Sequence, residues 1–236
     1  MRLASLALVS VFVTLLHAQD VVSSDPPAVS PIPDAAQTTP ALEKRALGII
    51  PNFRLADANQ PFSPISPSRK LYIAFKDSTD FPVYPTAAVF AAVYHVQNQN
   101  PSFGQGMKGY AHRFITAYTD QVVGNFMIEG FLPIAFHEDP RYFRLGESEP
   151  SKKKRLLYAA SRIFVTRTDR GNRSFNFSEW VGNAVTAGVG NAYYPDSRRL
   201  GDNIQRMCVN LGADSLGFVL KEFSPDIRRA FSRKKK

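Results

Sequence analysis

The sequence predicts an all-α protein, an irregular bundle of about six helices with small-residue helix contacts, preceded by a disordered Pro-rich arm. Three observations carry that expectation. Apolar and small residues recur three and four apart through most of the chain after residue 66. No run sustains the strict alternation of a half-buried strand. Prolines and capping residues punctuate the chain at helix-length intervals.

Residues 1–18 read as a secretory signal: Arg2 supplies the charged start, residues 3–16 the apolar run, and Leu16-His17-Ala18 the cleavage ending. The apolar run is too short for a retained anchor. Residues 19–66 carry Pro26, Pro27, Pro31, Pro33, Pro40, Pro51, Pro61 and Pro64, which exclude a long helix or a central strand. Ile49, Ile50, Phe53 and Phe62 are the apolar exceptions and suit an arm laid along a surface. Residues 67–232 form the helical domain, and 233–236 a basic tail.

Within that domain, Ser66-Pro67 is a cap followed by a first-turn proline, and Asp80-Phe81-Pro82 ends the first helix. A second helix spans 84–97, with Ala87/Ala91 and Ala88/Ala92 on two narrow faces, and a turn-rich loop follows over 98–106. The central helix spans 107–128 and bends near Gly130 and Pro133, where proline removes a ladder bond. Residues 137–145 form a polar corner, 152–165 a helix, and 166–174 a basic loop. Ser178 is expected to cap a helix over 179–192, which Tyr193-Tyr194-Pro195 stops. Residues 200–223 make the last long helix, and Pro225 restarts a short one.

Polar residues fall on helical lines of their own. Gln121, Asn125 and Glu129 lie four apart, as do Asn183, Ala187 and Asn191. The two lines are expected to face each other as a polar seam, with Arg113, Arg141, Arg144 or Arg162 reaching Glu129, because a buried carboxylate needs a partner. Small residues recur at Ala87/Ala91, Gly182/Thr186/Gly190 and Ala213/Gly217. Glycine inside a helix costs about 1 kcal/mol relative to alanine, and close helix approach offsets it.

The formal charge is +9, but much of it is local. Lys152, Lys153, Lys154 and Arg155 make one run, and Arg228, Arg229, Arg233, Lys234, Lys235 and Lys236 end the chain. Without these the domain is close to neutral. The terminal cluster suits an anionic membrane surface or an envelope polysaccharide, with a merely solvated end as the plainer reading. Nucleic acid is not an expected partner of an exported chain. Cys208 is the only cysteine, so no intrachain disulfide can form; a small, buried helix residue is expected there.

Motifs for chemistry are sparse. Residues 104–109 fit the spelling GxGxxG, but a polar turn precedes them where a dinucleotide site needs a strand. Residues 213–217 lack the strand that presents a nucleophilic serine. His95, His112 and His137 show no metal-ligand spacing, so neither metal nor cofactor is expected. Glu129, His137 and Asp139 are the candidate catalytic groups. Against them stands the reading of Asp139-Pro140 as a turn held by Arg141. Asp120, Asn125, Arg141, Asn183 and Asn191 are candidate binding residues. Tyr142, Phe143, Trp180, Tyr193 and Tyr194 would make an aromatic rim for a sugar ring or lipid head group if their helix ends meet.

At GNFMIEGFLPIAFHEDPRYFR, SRIFVTRTD, FNFSEWVGNAVTAGVGNAYYP and KEFSPDI the chain resembles an uncharacterised family of signal-bearing, exported bacterial proteins, over about residues 51–227. The resemblance implies export and brings no activity, fold or site residue with it. The function expected is that of a non-enzymatic envelope protein, periplasmic, envelope-associated or secreted. Its helical domain would associate with a membrane face or an envelope component. The alternative is an envelope hydrolase or a metal-dependent enzyme using Glu129, His137 and Asp139 as acid, base or metal ligands.

Overall fold

Local chemistry sets the helix starts. In the computed structural model, which describes residues 54–57 and 61–233, Ser66 Oγ accepts the Arg69 amide at 3.3 Å and Pro67 opens α1, Pro67–Thr79. Asp80 ends it, and α2, Val83–Val96, begins after Pro82. A loop containing a 3₁₀ turn at Pro101–Phe103 leads to α3, Gly106–Asn125.

The expected bend in the central helix is a π-turn, Phe126–Phe131, that runs on into α4, Leu132–Ala135. The Leu132 amide reaches back five residues to the Met127 carbonyl, and Pro133 has no amide to offer, so the backbone widens there. Counted as one rod, α3, the π-turn and α4 join α1, α2, α5 (Lys152–Ala160), α6 (Phe177–Val189) and α7 (Leu200–Arg233) as the bundle.

Several boundaries differ from the sequence expectation. In place of the expected helix end at 165 and basic loop over 166–174, Val165–Thr168 (β4) pairs antiparallel with Arg173–Phe175 (β5), and Glu138–Asp139 (β2) flanks β4. Gly171, at φ +84°, makes the turn. Asn176 rather than Ser178 caps α6, its Oδ1 accepting the Glu179 amide at 3.1 Å. Pro225 does not restart a helix but sits inside α7. Proline cannot bond the Lys221 carbonyl, and Ser224 Oγ donates to it instead at 3.0 Å.

Part of the expected arm belongs to the fold. Leu55–Asp57 (β1) pairs in parallel with Tyr142–Arg144 (β3), and Leu55, Tyr142, Ala159 and Phe218 make the core that Tyr158, Ile163 and Val219 flank. The rest of the arm through residue 53, the signal segment 1–18 and residues 234–236 of the tail lie outside the described residues.

Small residues set how closely the rods approach. Ala87 and Ala91 are buried between α2 and α3, while Ala92 faces out. A Cβ at Gly182 would stand 2.5 Å from Ile128 Cγ1, and one at Gly130 3.2 Å from Leu71 Cδ2, so α6 and α1 close on the π-turn from two sides.

Candidate functional site

Glu129 is buried in the π-turn, and its partner is none of the four arginines expected. Arg54, just before β1, donates from Nη1 to Glu129 Oε1 at 2.7 Å and from Nε to the Pro140 carbonyl at 2.6 Å. Its Nη2 lies 3.9 Å from Glu179 Oε2. Arg113 and Arg162 are committed to backbone carbonyls, and Arg141 to Asp139.

Around Arg54 the interior gathers more acid than base. Asn183, buried on α6, donates to the Glu179 carbonyl at 3.0 Å and to Asp214 Oδ2 at 3.1 Å. Asp77 Oδ1, Glu129 Oε2 and Glu179 Oε2 are buried and accept no hydrogen bond. Asp77 and Glu179 are relieved by holding protons. Burial, with Glu129 beside it, pushes Asp77 up to about 8; burial and Asp214 hold Glu179 well above the carboxylate range. Burial and the neighbouring Arg54 together lower Lys221.

The two polar lines of α3 and α6 therefore do not bond to each other directly. Their helices meet through Gly182 and Ile128, and Arg54 bridges Glu129 and Glu179 instead. Gln121 bonds back to the Ala117 carbonyl, Asn125 is half-buried, and Asn191 buries an Oδ1 that accepts no hydrogen bond.

The corner at residues 137–145 follows the turn reading. Arg141 clasps the buried Asp139 carboxylate through Nε and Nη2, the shorter contact being 2.6 Å. Glu138 caps α6, accepting the Phe177 and Ser178 amides at 3.0 and 2.9 Å. His137, at φ 55°, leaves 85% of its side chain in solvent, 4.0 Å from Asp169. Glu129, His137 and Asp139 thus engage three different partners, Arg54, Asp169 and Arg141. The cavity beside Arg54 and Asp139 measures about 20 Å³, room for one water. Among the described residues no group of three or more His, Cys, Asp or Glu is placed to hold a metal ion.

Glu222, which no spacing or motif singles out, accepts from more groups than any other buried acid among the described residues. It accepts from the Tyr142 hydroxyl at 2.8 Å, from the Leu145 and Gly146 amides, and from Arg155 Nε at 2.8 Å. Arg155 therefore belongs to the interior rather than to a basic surface run. These contacts pin the inner side of α7 to the domain.

The outer side of α7 is of another kind. Between residues 201 and 220 its exposed positions are Gly201, Ile204, Gln205, Cys208, Val209, Gly212, Ala213, Leu216 and Leu220. At 3.6 residues per turn they cover roughly half the circumference. None is charged and one is polar. Cys208 is exposed on this face, which corrects the expectation of a buried thiol. Gly217, expected in a helix contact with Ala213, would meet nothing within 4 Å if it carried a Cβ.

Of the basic cluster that ends the helix, Arg229 pairs with Glu147 and Asp226. The side chains of Arg228 and Arg233, and residues Lys234, Lys235 and Lys236, lie outside what is described. Among the described residues no helix is long and apolar enough to cross a membrane.

The aromatic rim does not assemble as one surface. Trp180 packs with Phe164 and Phe175, Tyr142 lies in the core, and Tyr193 and Tyr194 both donate their hydroxyls to Asp120 beside α2. No family model matches the chain, and neither a curated protein nor a solved structure does.

Proposed function

We propose that this chain is a non-enzymatic envelope protein whose helical domain docks on an anionic membrane surface through the outer side of α7. The observation that carries the proposal is the exposed, uncharged arc from Gly201 to Leu220, continued by a terminal cluster of arginines and lysines on the same chain end. An exposed apolar face of this extent marks an interaction surface. Lipid supplies an apolar layer for Ile204, Val209, Leu216 and Leu220, and anionic head groups for the cations that follow. The export reading rests on residues 1–18 and on the family resemblance.

The test is co-sedimentation of the mature chain with vesicles of phosphatidylcholine containing phosphatidylglycerol, at low and high salt. Binding should occur, weaken with salt, and fall at least tenfold in Leu216→Glu or Leu220→Glu. Removal of residues 228–236 should abolish the salt-sensitive part. Unchanged binding in both glutamate variants would sink the proposal. A wild-type dimer that Leu216→Glu makes monomeric, with no vesicle binding, assigns the face to a second copy instead.

A further inference from the structure

A polar cleft of about 350 Å³ opens between the end of α2, the loop after it and the first turns of α7. That volume falls within the roughly 300–1,000 Å³ of small-molecule sites. Its lining is unusual in being rich in amides: Gln97, Asn98, Gln99, Asn100 and Gln205 contribute, with the rings of Tyr94 and Tyr194. Asp120 lies in the same lining, holding both tyrosine hydroxyls, and Arg206 stacks its guanidinium 4.4 Å over the Tyr194 ring.

The loop that presents the amides is fixed from behind. Arg113, 1% exposed, donates to the carbonyls of Gln99 at 2.7 Å, Asn100 at 3.1 Å and Gly104 at 2.7 Å. Asn98 and Asn100 stand in the left-handed region at φ 48° and 51°, a conformation that asparagine tolerates and most residues do not. Asn100 Oδ1 accepts the Ser197 hydroxyl at 3.0 Å, and Asp196 accepts the Ser102 amide at 2.8 Å, which ties the loop to the segment before α7. A buried cation spent on backbone carbonyls, and two left-handed asparagines, hold a polar surface in place without filling it.

We infer that this cleft binds a neutral, hydroxyl-rich ligand of mono- or disaccharide size. Each sugar hydroxyl both donates and accepts, and a primary amide offers both partners from one side chain. The half-buried Tyr94 ring offers an apolar surface to the face of a pyranose, while Tyr194 is 3% exposed and already covered by Arg206. The charged groups of the lining are already engaged within the chain: Asp120 by two tyrosines, Asp196 by Ser102, Asp202 by the Arg199 amide, and Arg206 by the Ala187 and Ser197 carbonyls. The amides are only half spent: Gln97, Asn98 and Asn100 accept from Gln99, Gln105 and Ser197 but keep their NH2 groups, and Gln99 keeps its oxygen, so hydroxyls find free donors and acceptors where a compact ion finds committed charges. The cleft shares Gln205 and Val209 with the outer side of α7, but the inference does not rest on membrane docking and survives its failure.

The experiment is saturation-transfer NMR on the mature chain with maltose, lactose and diacetylchitobiose, beside spermidine and inorganic phosphate as charged probes. At least one disaccharide should give a transfer signal with millimolar or tighter affinity. Gln97→Ala and Gln205→Ala, both at exposed positions, should each weaken it at least fivefold while the fold, followed by circular dichroism, is retained. Silence from all three sugars overturns the inference, as does a signal confined to spermidine or phosphate. A sugar signal that both variants leave unchanged places binding elsewhere and overturns it too.

Discussion

On α6, a Cβ added at Gly182 would stand 2.5 Å from Ile128 Cγ1, while on α7 one added at Gly201, Gly212 or Gly217 would meet nothing within 4 Å. The two helices carry the same kind of sequence line, small residues near one another among apolar ones. In α6 the conformational cost of glycine is offset inside the chain, by the approach of the π-turn. In α7 nothing among the described residues offsets it. Its inner side is closed by Glu222, Arg155 and Phe218, and its outer side is left uncharged and open. A line of small residues therefore marks a contact, and the structure decides whether that contact is within the molecule or beyond it.

The contrast can be tested by substitution, and the largest effect is expected on the inner side of α7. Glu222→Ala leaves the Arg155 guanidinium and the Tyr142 hydroxyl buried without their acceptor, and should cost about 3–5 kcal/mol in urea unfolding. A loss below about 1 kcal/mol would show that α7 is not held where it is by this acid. Gly182→Ala should follow, at about 1–3 kcal/mol, because Ile128 must move to admit the methyl group.

Titration of the interior acids comes next. Asp77, pushed up to about 8, and Glu179 keep protons in the folded chain that the unfolded chain releases near pH 4. Stability should then be greatest at the acid end of this range and fall as pH rises through 8, with a slope of up to about 1.4 kcal/mol per pH unit for each proton. Asp77→Asn should flatten that slope in thermal melts between pH 5 and 8. An unchanged slope would remove Asp77 from the account. The smallest effect belongs to the outer side, where Gly212→Ala meets open space and gains helix propensity, stabilising by up to about 1 kcal/mol. Destabilisation there would mean that the face is already packed.

What the sequence discloses about this fold is mostly what is local. Ser66-Pro67, the break at Asp80-Phe81-Pro82 and the Asp139–Arg141 turn each depend on neighbours within a few residues, and each was legible. The hairpin of β4 and β5 was missed because three- and four-residue strands are too short to show a period, although its turn, with Gly171 left-handed, was a usable sign. Asn176 with Glu179 three residues on has capping-box spacing, a better signal than Ser178.

The candidate site was legible in its burial and not in its partners. Glu129 and Asn183 could be placed inside from their helix lines, but Arg54 sits amid prolines that advertise an arm, 75 residues from the carboxylate it meets. Glu222 and Arg155 are 67 residues apart, and no spacing rule reaches that far. Exposure of Cys208 was hidden for a related reason, since composition does not reveal which side of an apolar helix finds a neighbour.

The position of Arg54 bears on the order in which the chain can become native. Its guanidinium closes on Glu129, the Pro140 carbonyl and Glu179, while Glu222, near the other end, closes on Tyr142 and Arg155. Neither closure can form until most of the polypeptide has been synthesised, and both join segments far apart in sequence. Loops of that length must shut before their contacts give any return, which slows the search. Acquisition of structure should accordingly be late and all at once, with the arrival of the final helix as the committing event.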